Sequence, residues 1–193
     1  MIVAFSTSSP LASVAAFAPS GDVLWQGERP ALHQASGVCL DLLSEMRREL
    51  GFGPERADAF AADLGPGSFT GVRVGVILAK TFAFIYGRPV MGADAFDLID
   101  PQGIVVLPSK RGEFFVRRPG EAPVRTADLP AEPFLGFGPG LNHEVFPLAA
   151  RFGPLLTRLP REDAVLFAPK YLIEPSISIP KVPYGLRPGG SNG

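Results

Sequence analysis

One stretch, Asp63-Leu64-Gly65-Pro66-Gly67-Ser68-Phe69-Thr70-Gly71-Val72-Arg73-Val74-Gly75, restricts the fold of this chain more than any other. An apolar run from Ala57 to Leu64 stops at Gly65-Pro66-Gly67, and a helical pattern rich in small residues begins near Thr70. The segment therefore reads as strand, tight turn, helix. Glycine admits backbone angles and close approaches closed to other residues. Ser68 and Thr70 offer hydroxyls to the orphan N–H groups of the helix start, which can also hold an anion. Two known phosphate loops do not fit. The Walker loop needs a lysine where Val72 follows Gly71, and the dinucleotide fingerprint needs a third glycine where Thr70 stands. Two readings remain: a binding loop near a nucleotide or a partner, built from Gly65, Gly67, Ser68 and Thr70, or a turn that serves packing alone.

In the helix that follows, Gly71, Gly75, Ala79, Ala83 and Gly87 recur every fourth residue and form one nearly bare stripe. Glycine inside a helix costs about 1 kcal/mol against alanine, so close contact with another element must offset it. That element is either the chain's own sheet or the surface of a partner. A membrane dimer motif of the Gly-x-x-x-Gly type is set aside, because Arg73 and Lys80 interrupt the segment before it reaches the ~20 apolar residues a bilayer needs.

The chain has 193 residues, enough for one large domain or two small lobes, and needs no disulfide. Its single cysteine, Cys39, falls among the apolar positions of a helix and fits a reducing cytoplasmic compartment. Residues 1–21 imitate a signal peptide, but they lack a positive leading region, and Ser6-Thr7-Ser8-Ser9-Pro10 breaks the apolar core; strands are expected instead. With 18 basic and 19 acidic residues the net charge is −1, unlike the footprint of a stand-alone nucleic-acid binder, so any RNA must be held mainly by a partner.

Three apolar runs, Ile2–Thr7, Leu11–Ala18 and Asp22–Glu28, read as adjacent strands, with Pro19-Ser20-Gly21 as a hairpin turn. From Gln34 to Leu50 the residues Val38, Leu42, Leu43, Met46 and Leu50 keep helical spacing, closed by Gly51. A strand at Ala57–Leu64, a helix at about Thr70–Tyr86, a strand at Pro89–Gly92 and a short helix at Asp94–Leu98 complete the order βββαβαβα. A meander followed by helical crossovers builds an α/β lobe with a mixed sheet and flanking helices, the ribonuclease-H-like arrangement. After Pro101-Gln102-Gly103 a shorter series repeats the order. Strands are expected at Ile104–Leu107, Glu113–Arg117, near Val124 and at Phe134–Phe137, the last ending in Gly138-Pro139-Gly140, with a helix at Leu141–Phe152. The expected division is a first lobe at 1–100, a trimmed second lobe at 101–179 and a loose tail at 180–193.

Candidates for catalysis are few. His33 and His143 lie far apart in sequence, with no His-x-x-x-His pair, whereas a metal site needs several converging ligands. Ser68 lacks the Gly-x-Ser-x-Gly elbow and a base beside it. Asp58, Asp63 and Glu113 read as solvated carboxylates. Arg73, in the first helical turn where the dipole disfavours a cation, is expected to meet an acidic group of its own lobe, of a partner or of a bound phosphate.

The run Gly65-Pro66-Gly67-Ser68-Phe69-Thr70-Gly71-Val72-Arg73-Val74-Gly75 resembles the TsaB/YeaZ glycoprotease-like family. Ile2-Val3-Ala4-Phe5-Ser6-Thr7, His33, Arg111-Gly112-Glu113 and Pro169-Lys170-Tyr171-Leu172 add looser matches. The resemblance, over residues 1 to about 173, implies the two-lobed actin-like (ASKHA) architecture. It implies a non-catalytic subunit that holds the TsaD enzyme competent for threonylcarbamoyl transfer to the tRNA adenosine next to the anticodon, with TsaE as the associated ATPase. It places the partner interface, to TsaD or to a second copy, on the first two helices, here His33, Val38, Leu42, Met46, Gly71, Arg73, Gly75, Ala79 and Ala83. Arg111 and Glu113 join the loop near a nucleotide or partner. No cofactor is expected on the chain alone, ATP or ADP being an option at the interface with TsaD; tRNA is reached through the complex, and no membrane is involved. The family's first strand usually ends in an aspartate that organises metal and phosphate in active relatives, where this chain has Ser6. The alternatives are an independent ATP-binding, kinase-like enzyme or a peptidase of the same architecture.

Overall fold

The computed structural model describes residues 1–172 except 32 and 111; the expected tail and the end of the expected second lobe lie outside the described residues. Strands β1 (Ile2–Ser6), β2 (Leu11–Phe17) and β3 (Val23–Pro30) form the anticipated meander. Gly21 turns the β2–β3 hairpin at φ 94°, and its N–H donates to the Ala18 carbonyl. Helix α1 (Ala35–Leu50) ends on Gly51 at φ 75°, whose N–H returns to the Arg47 carbonyl. Strand β4 (Ala59–Asp63), helix α2 (Phe69–Tyr86), strand β5 (Val90–Ala93) and helix α3 (Ala95–Ile99) follow. Their sheet has the order β3-β2-β1-β4-β5, with β1–β4 and β4–β5 parallel.

The second half builds a four-stranded sheet, β8-β7-β6-β9, from β6 (Val105–Pro108), β7 (Phe114–Arg117), β8 (Val124–Thr126) and β9 (Leu135–Gly136). It repeats the first sheet through its fourth strand: an antiparallel meander, then a strand parallel to the first of the series. The Gly-Pro-Gly triplets occupy equivalent places, 65–67 after β4 and 138–140 after β9.

The helix expected at Leu141–Phe152 does not form. Residues 141–148 are irregular, and a 3-10 helix runs over Ala149–Leu155. Pro147 disfavours helical geometry at Phe146, and the Val145 N–H donates to the Gly136 carbonyl, tying this segment to β9. The 3-10 helix then packs Ala149, Phe152 and Leu155 against Ile2, Ala4, Ala15 and Phe17 on one face of the first sheet. Helices α1 and α2 cover the opposite face through Cys39, Leu42, Met46, Val72, Val76, Ala79 and Ala83, against Val3, Phe5, Val14 and Phe60. Strands β1, β2, β4 and β5 therefore bury alternate residues in two separate cores, and β1, β2 and β4 are apolar throughout save for serines and one aspartate.

Helix α2 is long and apolar enough to cross a membrane by length and composition alone, yet its small residues lie against the chain's own sheet. A Cβ at Gly71 would stand 2.0 Å from the Thr7 carbonyl oxygen, and one at Gly75 would stand 2.7 Å from Thr7 Oγ1. Thr7 Oγ1 donates to the Gly71 carbonyl at 2.7 Å and accepts from the Gly75 N–H at 3.0 Å, so it joins two groups one helical turn apart. The stripe stops at Ala83, because Gly87 is the exposed left-handed cap of the helix at φ 60°.

Gly71→Ala is expected to cost about 1–3 kcal/mol of unfolding free energy, since the added carbon meets backbone that cannot yield. Gly37→Ala in α1, where an added Cβ meets nothing within 4 Å, is expected to stabilise by up to about 1 kcal/mol. Urea denaturation of the two variants checks both signs.

Candidate functional site

The C-terminal ends of the parallel strands of both sheets face a cleft of about 1340 Å³. Open α/β sheets place their ligands at such strand ends. From the first sheet the cleft is lined by Thr7–Pro10 after β1 and by Pro66–Val72 after β4; from the second, by Pro108–Lys110 after β6 and Phe137–Leu141 after β9. His33 enters from the start of α1 in left-handed backbone, φ 68°, a conformation uncommon outside glycine. Lys170, Tyr171 and Leu172 close the rim: the Lys170 N–H donates to the Leu64 carbonyl at 3.0 Å, and the Tyr171 ring lies 5.2 Å from that of Phe69.

The turn between β4 and α2 is held from both sides. Gly65 has φ 84° and donates its N–H to Asp63 Oδ1 at 2.8 Å. A Cβ at Gly67 would come within 2.2 Å of the Ser8 carbonyl oxygen, which accepts the Ser68 N–H at 2.8 Å. Ser68 is the N-cap of α2, its Oγ accepting from the Gly71 N–H at 3.2 Å, so capping falls to Ser68 and not to the exposed Thr70. The cleft also carries the cations Lys110 and Lys170 and the carboxylate Glu144, which takes the Gly138 N–H at 3.1 Å. Backbone donors at a helix start, in a cleft that also holds two lysines, can receive an anionic group.

The structure gathers the scattered motifs: His33, Gly67, Ser68, Thr70 and, from the 169–172 motif, Lys170, Tyr171 and Leu172 line one space. Gly65 supports that space from behind, and Arg111 lies outside the described residues. Glu113 pairs with Arg125 across β7 and β8, away from the lining. The interface expected on the bare stripe needs correction. Leu42, Met46, Gly71, Gly75, Ala79 and Ala83 are buried in the chain's own core, and Val38 packs against it, because Thr7 and the β1–β4 face fill the groove. Only His33 and Arg73 of that set are exposed. Arg73 makes no ion pair among the described residues; its guanidinium lies 5.4 Å from the centre of the Phe69 ring. Facing outward on α2 instead are Ile77, Phe84 (76 % exposed) and Ile85 (61 % exposed), with Leu40 exposed on α1.

Sequence reasoning missed Asp63. Read as a solvated carboxylate, it is 1 % exposed. Ser6 Oγ lies 2.8 Å from Asp63 Oδ2, and Ser8 Oγ meets the same oxygen. Burial pushes the Asp63 carboxyl up to about 6, against the pull of the Ser8 hydroxyl, the Gly65 amide and the Ser6 hydroxyl; the neighbouring Asp94 adds to the rise. The alternation of β4 gave the signal, since position 63 shares its face with Ala59 and Ala61 in the second core. Asp58, at the other end of β4, pairs with the N-terminal ammonium at 2.5 Å, which holds its carboxyl below the ordinary range. Among the described residues, no group of three or more His, Cys, Asp or Glu converges as a metal would require.

Residues 31–98, which run from the entry of α1 to α3, match a family model described as TsaD, tRNA N6-adenosine threonylcarbamoyltransferase. The tRNA threonylcarbamoyladenosine biosynthesis protein TsaB of Haemophilus influenzae is 32% identical over 117 residues, 54% of this chain and 47% of that protein. YeaZ from Pseudomonas aeruginosa superposes with a TM-score of 0.74 at 20% identity, covering 89% of this chain and 99% of that one. This chain is similar to the TsaB/YeaZ proteins. A second solved structure, described as similar to peptidase YeaZ from the same organism, gives 0.75 at 19% identity, covering 89% of this chain and 99% of its own. The chain spans about half the length of the curated relative it matches. The fold is the expected actin-like one, two mixed sheets with flanking helices.

If Ser68 serves as a cap, Ser68→Ala lowers stability by about 1 kcal/mol, read as a fall in the thermal midpoint, and Ser68→Asp restores most of it.

Proposed function

We propose that this chain serves tRNA threonylcarbamoyladenosine biosynthesis as a non-catalytic subunit that docks on a TsaD-type transferase and keeps it competent. The observation that carries the reading is the outward face of α2, where Ile77, Phe84 and Ile85 are exposed on a helix whose other face is fully used by the chain's own sheet. Exposed apolar side chains grouped on one helix favour a protein partner over water. The bare stripe acts one step back: by letting α2 sit tightly on β1 and β4, it fixes the outward face as a rigid platform. Ser6, at the place where active relatives are expected to carry an aspartate, is engaged with Asp63 and with the Pro147 carbonyl, which supports leaving the chemistry to the partner. In this reading TsaE joins the same assembly, tRNA meets the chain only through it, and a self-paired dimer competes for the same face.

The cleft itself favours a second reading, an independent ATP-binding enzyme, because its helix start and two lysines suit a phosphate group. ATP or ADP held where the chain meets its partner accommodates both observations.

Co-expression with the host's TsaD tests the proposal. Phe84→Asp and Ile77→Asp are each expected to abolish co-purification while leaving a folded protein, with loss of the modified adenosine in tRNA from cells that carry only the variant. Retention of the complex by both variants would reject this face. Turnover of ATP or of a peptide by the isolated chain would transfer the weight to the enzyme readings.

A further inference from the structure

Ser6 Oγ, Ser8 Oγ, Asp63 Oδ2 and the Pro147 carbonyl oxygen form one buried cluster with three oxygen–oxygen contacts: Ser6 to Asp63 at 2.8 Å, Ser8 to Asp63, and Ser6 to Pro147. Each contact is attractive only if one proton lies in it. The two serines bring two. With an ionised carboxylate one contact stays empty, and two lone pairs face each other where no water reaches, the costly case for buried polar atoms. The other carboxyl oxygen does not help, since Asp63 Oδ1 already accepts the Gly65 N–H.

We infer that Asp63 carries a proton in the tightly closed fold and that this proton latches the segment around Pro147 onto the first sheet. The carboxyl O–H donates to Ser6 Oγ, Ser6 donates to the Pro147 carbonyl, and Ser8 donates to the carboxyl, so all three contacts are filled. Pro147 lies two residues before Ala149, whose N–H donates to Ser13 Oγ at 2.9 Å as the 3-10 helix settles on β1 and β2. The latch thus joins the second half of the chain to the first at the ends of β1 and β4, directly behind the cleft turn. Loss of the proton loosens the 147–155 segment from the sheet.

The charged surroundings are few. From the β5–α3 junction Asp94 faces the carboxyl and resists its ionisation, and Asp94 is itself influenced by Asp97, Lys170 and Arg117. From β1 the neighbours are the serines, and from the 147–149 segment backbone groups. The sign follows from linkage. The folded-state value is raised from 3.8 to about 6, so the contribution is fully present below pH 3.8 and is lost as pH rises through 6. The corresponding change in the folding equilibrium is up to about a hundredfold.

Asn mimics the neutral carboxyl: its oxygen can take the Gly65 N–H and its amide can donate to Ser6. Chemical denaturation of the full chain between pH 4 and pH 7.5 is expected to show that fall in stability for the wild type and its absence in Asp63→Asn, which should be at least as stable as wild type at pH 7.5. Hydrogen-exchange protection of the Ala149 amide should drop at least tenfold over the same range only in the wild type. Parallel profiles for the two proteins would overturn the latch. Carboxyl-carbon NMR of the wild type decides the matter if the variant does not fold: titration of Asp63 near 6 supports the latch, and titration at an ordinary carboxylate value refutes it.

Discussion

The fold is organised around the contact between Thr7, just past β1, and the first two turns of α2. A backbone carbonyl and a hydroxyl occupy the space that side chains at positions 71 and 75 would claim, so the helix can approach only with glycine at both. That approach sets the depth of α2 on β1 and β4, and the following alanines continue the seat to Ala83. It also fixes the turn before the helix. Ser8 receives the Ser68 N–H, Gly67 fits only because it lacks a side chain, and Ser68 then caps the helix. The strand ends, the turn and the helix start thereby become one rigid wall of the cleft.

The two halves use the same plan with different means. Each has a meander, a parallel fourth strand and a Gly-Pro-Gly triplet at its end, and both triplets face the common cleft. The first half covers its sheet with two long helices. In the second, helical crossovers are missing between β8 and β9, and its last element, the 3-10 helix, is spent on covering the first sheet. The halves are thus bound by shared burial and by the buried polar contacts of Ser6 with the Pro147 carbonyl and of Ser13 with the Ala149 N–H. Such contacts are sensitive to geometry, because an unfilled hydrogen bond in a dry interior costs more than a filled one returns.

Much of the site was legible in the sequence for a local reason. Gly65-Pro66-Gly67 interrupts an apolar run, and Ser68 stands where a cap must stand, so turn and helix start were both readable from neighbours in the chain. His33 and Lys170 could be named as motif residues, but their meeting in one cleft depends on chain segments 137 residues apart. Glu113 looked equally suited and lies instead in a β7–β8 ion pair. Asp63 is the instructive miss: a carboxylate at a strand end is ordinarily solvated, and here it is buried against Ser6, Ser8 and Gly65, with the Pro147 carbonyl on the far side of Ser6.

For the first half the sequence alone settled the order of helices and strands and their bounds to within a residue or two, and it required something to press against the small-residue stripe. Those properties follow from period, punctuation and side-chain size, which act over a few residues. The tertiary structure decided that the chain's own β1 fills the stripe, that the opposite face of α2 is the one left open, and that Leu141–Leu148 forgoes a helix to pair with β9 and reach the first sheet. Each of these rests on which distant surfaces compete for the same space, and that competition exists only once the chain has closed.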